Sequence, residues 1–280
     1  MSMKLSRPAL RLAATTLSAR YPQPTASLAA LLPAAAVMPP IAQDTAISLA
    51  VAVAATAWVK LLTSFASAGR MPANLSRKLI HVSSGPSFLL CWAFFTELPE
   101  ARLLAALVPM LQVAKLWLAS RGQLGADGEE MVRGISRTGA TNEVAGGPLV
   151  YTLVLLAATL LGWRSLCGAV PVCQMAVGDG LADIVGRRYG EVKWPFAPSK
   201  SPAGSAAFVA GAYASSVAMV AFFHRCGYTP LSVGEALLPL ALISVVSAVV
   251  ELLPLGDDNL TVPLVSAVLT LVWVGSAGAL

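Results

Sequence analysis

The chain has 280 residues, 56% of them hydrophobic and only 12% charged, with a mean hydropathy of +0.72. Soluble domains carry about 25% charged residues, so this composition excludes an ordinary water-soluble globule. Of the net charge of +5, four units come from Lys4, Arg7, Arg11 and Arg20 in an acid-free opening stretch of 43 residues, and the near-neutral remainder implies no nucleic-acid partner.

That opening stretch is rich in Arg, Ser, Thr and Ala and lacks a continuous apolar core. It reads as an organelle transit peptide rather than a secretory signal, with a plain basic tail as the alternative. Composition does not separate plastid from mitochondrion. The expected organisation is a targeting segment over 1–43 and a membrane domain over 44–280.

Eight apolar stretches follow, at roughly 46–65, 79–96, 101–119, 144–162, 165–178, 205–223, 236–253 and 262–279. A helical span needs about 20 apolar residues, which leaves 165–178 short. Lipid offers no partner for an open backbone, so the blocks are expected as helices. The expected fold is all-α, a polytopic transmembrane helical bundle of about seven to eight spans.

Orientation follows from the basic residues. If all eight stretches cross, the loops 66–78, 120–143, 179–204 and 254–261 share one face and carry most of the Lys and Arg, including Arg133 and Arg137. The other face has Arg102, Arg164 and Arg225. The bias places the basic loops in the cytosol or the stroma. On that assumption nearly every polar cluster falls on the same face, and a site built from both 179–204 and 254–261 would need the short fifth stretch to cross. The four cysteines, Cys91, Cys167, Cys173 and Cys226, form no CxxC pair and read as small apolar fillers.

The first polar cluster is RKLIHVSSG, 77–85, with His81 one turn inside the second stretch. His81 is either a satisfied core histidine or a general base for an alcohol proton. Asn142 and Glu143, entering the fourth stretch, are weaker candidates of the same kind.

The most informative segment is VGDGLADIVGRRYGEVKWPFAPSK, 177–200. Asp179 lies between Gly178 and Gly180, and Asp183 follows at i+4, so a helix would set both carboxylates on one face. Two such carboxylates in lipid surroundings repel unless a cation joins them. Mg²⁺ (or Mn²⁺) carrying nucleotide phosphates fits, because it takes one or two carboxylates plus phosphate oxygens. The glycines would allow a phosphate close to the backbone, and Arg187, Arg188, Lys193 and Lys200 supply positive charge. An interfacial loop whose acids and bases pair with each other is the rival reading. No GxxxxGK[ST] or GxGxxG pattern is present, so soluble nucleotide folds are unsupported.

In SKSPAGS, 199–205, Lys200 precedes an apolar helix that Ser205 could cap, a natural phosphate position. A plain cap beside a snorkelling Lys fits equally. Glu251, inside the last turn of an apolar helix, is a functional candidate because a carboxylate in the membrane is costly. Asp257, Asp258 and Asn259 follow in the turn PLGDDN.

Together RKLIHVSSG, GDGLADIVGRRYG (178–190), KSPAGS (200–205) and ELLPLGDDNLTVP (251–263) resemble, in order, the phytol kinase and farnesol kinase branch of the polyprenol kinase family. The resemblance covers the chain from about residue 70 to its end. It implies transfer of the γ-phosphoryl group of CTP to a prenyl alcohol such as phytol, in a chloroplast membrane, giving phytyl phosphate for tocopherol synthesis. It assigns the metal–nucleotide to Asp179 and Asp183, and phosphates to Lys200 and Arg187, with Lys193, Ser201 and Gly204 beside them. Asp257, Asp258 and Asn259 would complete the polar pocket. A farnesol or geranylgeraniol kinase, a CTP-dependent cytidylyltransferase and a membrane transporter are the alternatives.

Overall fold

The computed structural model describes residues 38–125, Val132, Ile135, Ser136 and 140–279, without the side chain of Asn142. Residues 1–37 of the targeting segment and the loop cations Arg133 and Arg137 lie outside the described residues. Among the described residues the architecture is all-α, with no β-strand. Each of the eight apolar stretches is a helix: α1 (Pro40–Ser67), α2 (Ala73–Cys91), α3 (Ala101–Ser120), α5 (Gly147–Leu161), the pair α6 (Leu166–Cys173) and α7 (Gly180–Tyr189), then α8 (Pro202–Arg225), α9 (Val233–Leu252) and α10 (Asp258–Ser276). A single short turn, α4 (Thr141–Val144), precedes α5.

Six of the described helices are long and apolar enough to cross a membrane, counting Leu166–Tyr189 as one. The two others fall short for readable reasons. Helix α5 has 15 residues, and α2 carries Arg77, Lys78 and His81 in its first half.

The short fifth stretch does not end at Gly178. It continues through a π-helical turn, Gln174–Asp179, into α7, giving a helix of 24 residues. Asp179 and Asp183 therefore sit inside a helix, rather than in a loop opening one. This is the most buried long helix among those described, and the core forms around it from Met175, Val172, Trp92, Phe223 and Leu240. Pro171 lies inside α6.

Caps fix where the polar loops begin. Ser201, not Ser205, caps α8, accepting from the Gly204 N–H at 3.1 Å with Pro202 in the first turn. Ser205 instead accepts from the Trp194 indole. Asp257 caps α10 by accepting from the Asn259 N–H, and Ser232 with Glu235 forms a capping box on α9. At the opposite end of the bundle, Arg164 donates to the carbonyls of Trp92 and Phe95 and pairs with Glu97. Helix α1 starts at Pro40, inside the expected targeting segment, and Asp44 ties it down by accepting from the Thr96 N–H and Oγ1.

Candidate active site

Along the helix from Leu166 to Tyr189, two ridges of i+4 spacing emerge. Gly178, Ala182, Gly186 and Gly190 form the first, turned to α8. A Cβ on Gly178 would meet the Phe208 ring at 2.9 Å, and one on Gly190 would meet Ser201 Oγ at 2.3 Å. From the other side, a Cβ on Gly204 would strike the Ala182 carbonyl at 2.9 Å. Small residues here let two helices cross closely. Gly180 serves the same end against α2, with Val82 at 2.2 Å from an added Cβ. The phosphate-cradle role expected for Gly178 and Gly180 is corrected: both lie within continuous helix and face neighbouring side chains, away from the cavity.

Asp179, Asp183 and Arg187 form the second ridge, which lines a cavity of about 1940 Å³. Asp179 is buried, and its Oδ2 accepts from Lys78 Nζ at 2.9 Å with His81 Nε2 at 3.3 Å. The π turn ends on this residue; such turns re-aim side chains and are frequent at functional sites. Asp183 pairs with Arg187 at 2.8 Å, as an i,i+4 bridge half open to solvent.

A third group arrives from distant segments. Lys200 Nζ donates to Glu251 and to Asp258, the latter at 3.1 Å. Burial pushes the Lys200 ammonium down, but Glu251 and Asp258 outweigh it and hold its pKa above the usual lysine value. Ligand oxygens of Asp179, Glu251 and Asp258 all lie within 4.8 Å of one another. Three carboxylate oxygens are a hard donor set that fits Mg²⁺ or Mn²⁺, and the two lysines offset two of their three charges. Of the expected pair Asp179 and Asp183, Asp179 joins this three-carboxylate set with Glu251 and Asp258. Asp183 lines the same cavity but binds Arg187.

The remaining expected residues divide. Lys193, Ser201, Gly204, Asp257 and Asn259 all line the cavity. Asn259 Nδ2 donates to Asp257, while Asn259 Oδ1 is buried without a partner, alone among the described cavity side chains. Such an orphan acceptor awaits a ligand donor. His81 Nε2 faces two acceptors, the Met175 carbonyl at 3.2 Å and Asp179 Oδ2 at 3.3 Å. Tyr151 packs on the His81 ring and donates to its carbonyl.

Sequence reading missed Lys78 as a site residue. Its signal was present one turn before His81, but a Lys at the mouth of a span reads as an orientation signal. Below the charged end the cavity turns apolar, lined by Val51, Phe88, Cys91, Phe94, Val108 and Leu155. One continuous space therefore joins a cluster of carboxylates and lysines to an apolar groove.

That division of the interior suits a molecule with a polar group at the end of a long apolar chain. Comparison with known proteins identifies the family. The chain is 39% identical over 244 residues to the probable phytol kinase, chloroplastic, of Zea mays, spanning 86% of this chain and 79% of that one. It is 36% identical over 225 residues to phytol kinase 1, chloroplastic, of Arabidopsis thaliana, covering 79% and 73%. The farnesol kinase, chloroplastic, of the same plant is 39% identical over 198 residues, covering 69% and 64%. No family model and no solved structure matches. The chain belongs to the phytol kinase and farnesol kinase family, and it is a multi-pass protein of the chloroplast membrane.

Proposed function

We propose that this protein transfers the γ-phosphoryl group of CTP to the hydroxyl of phytol, giving phytyl phosphate for tocopherol synthesis. The observation that carries the reading is the single cavity in which Lys78, Lys200 and three carboxylates meet an apolar groove. Phosphoryl transfer needs mainly positioning and charge neutralisation, and this end of the cavity is built for both.

Asp179, Glu251 and Asp258 would hold Mg²⁺ (or Mn²⁺), which neutralises triphosphate charge when bound. Lys200, Lys78, Arg187 and Lys193 would face phosphate oxygens, and Asn259 Oδ1 would accept from a donor group of the nucleotide. The alcohol oxygen attacks the γ-phosphorus, CDP leaves, and the hydroxyl proton passes to an acceptor such as His81. Phytol rather than farnesol is favoured by the curated phytol kinases among the relatives, while the farnesol kinase is equally similar and supports farnesol as the second reading.

Membranes containing the protein, incubated with labelled CTP and phytol, should form labelled phytyl phosphate. CTP should outcompete ATP. Formation of a CMP-linked lipid with release of pyrophosphate would instead point to attack of the alcohol at the α-phosphate, and no labelled lipid at all would leave a transporter.

A further inference from the structure

The apolar end of the cavity has a depth that can be measured along α2. Its lining residues descend one helix face: Lys78, His81, Ser84, Phe88, Cys91 and Phe94. The change from polar to apolar falls at Phe88, and Phe94 is the deepest of them along this element, in the 3₁₀ turn that ends it. At a rise of about 1.5 Å per residue, Cys91 lies about 15 Å and Phe94 about 20 Å beyond His81. The N-terminal halves of α1 and α3 contribute Ile47, Val51 and Val108 to the same lining.

Prenyl alcohols can be laid against this scale. With C–C bonds of about 1.5 Å, an extended farnesyl backbone measures roughly 14 Å and a phytyl backbone roughly 19 Å. A farnesyl chain headed at His81 ends beside Cys91, whereas a phytyl chain passes Cys91 and ends at Phe94.

We infer that Cys91 and Phe94 are specificity-determining residues that set the prenyl chain length, Cys91 as the gauge point past which a twenty-carbon chain must run and Phe94, itself partly exposed, as the side chain its end meets. The inference rests on the proposed kinase reading and adds to it which residues choose the substrate. Cys91 is suited to its place: it is small, uncharged and only partly buried, so it leaves the passage open.

The test compares kcat/KM for farnesol and phytol in membranes carrying the full chain. Cys91→Trp should lower the phytol value by more than about tenfold and leave the farnesol value within about threefold, in line with the worth of one or more methylenes in an apolar site. Phe94→Ala should extend use to alcohols longer than phytol. Leu90→Trp, on the same helix but exposed and off the cavity, should leave both alcohols unchanged. Should Cys91→Trp lose both alcohols, Val51→Phe on the facing helix must show the selective loss; equal losses there too overturn the inference. So does an unaltered phytol value in Cys91→Trp. A wild-type chain that phosphorylates neither alcohol sinks the kinase reading itself, and the gauge with it.

Discussion

Lys78 and Asp179 show how a charge can be kept in a membrane bundle. Their side chains are about one-tenth exposed and meet at 2.9 Å, so each removes the cost of burying the other. Removing one partner strands the other, at about 3–5 kcal/mol, whereas replacing both by apolar residues is often close to neutral. Lys78→Met and Asp179→Leu should therefore each lower thermal stability in detergent, while the double variant recovers it. Turnover should stay absent in all three, because Asp179 sits among the three carboxylates and Lys78 faces the proposed phosphate position. Recovered turnover in the double variant would make the pair structural only. Lys200 calls for a separate experiment, since it is more open and bridges Glu251 to Asp258. Lys200→Met should cut kcat by about 10²–10³, the range for losing one preorganised charge partner. Cys167→Ala, outside the cavity, should change kcat little; near-normal turnover in Lys200→Met would remove Lys200 from the phosphate site.

At the scale of elements, the same thirteen residues, 178–190, carry two different messages. The i+4 series Gly178, Ala182, Gly186, Gly190 packs α7 on α8, and the series Asp179, Asp183, Arg187 faces the cavity. Composition alone invites a glycine-rich phosphate loop; the regular spacing of the small residues was the legible sign of a helix crossing. Gly204 answers that ridge from α8, with an added Cβ at 2.9 Å from a backbone oxygen that cannot swing aside. Gly204→Ala should force the helices apart, at about 1–3 kcal/mol for an overpacked contact. Because Ser201 and Lys200 sit at the same crossing, the loss of stability should come with lower turnover. A melting temperature unchanged from wild type would show that the crossing has slack and that Gly204 is needed for something else.

Over the whole molecule, apolar length and loop charge made the eight helices and their common polar end readable in advance. What stayed hidden were properties that depend on distant partners. Asp179, Glu251 and Asp258 belong to three segments, and nothing in their local spacing says that they converge. The continuation of the fifth helix to Tyr189 was obscured because its charged face looks like a loop until the cavity it lines is known. The convergence has a topological consequence that can be measured. Asp258 reaches Asp179 only if 190–201 and 253–257 leave the membrane on one side, which requires an even number of crossings between them. Helices α8 and α9 supply two. Cysteines introduced at Glu191 and Gly256 should then react with an impermeant thiol reagent from the same side, as should one at Arg121 beyond α3. Native Cys226, at the far end of α8, should be modified only from the opposite side. Labelling at Gly256 from the Cys226 side would separate Asp258 and Lys200 across the bilayer, and the three-carboxylate site could not form.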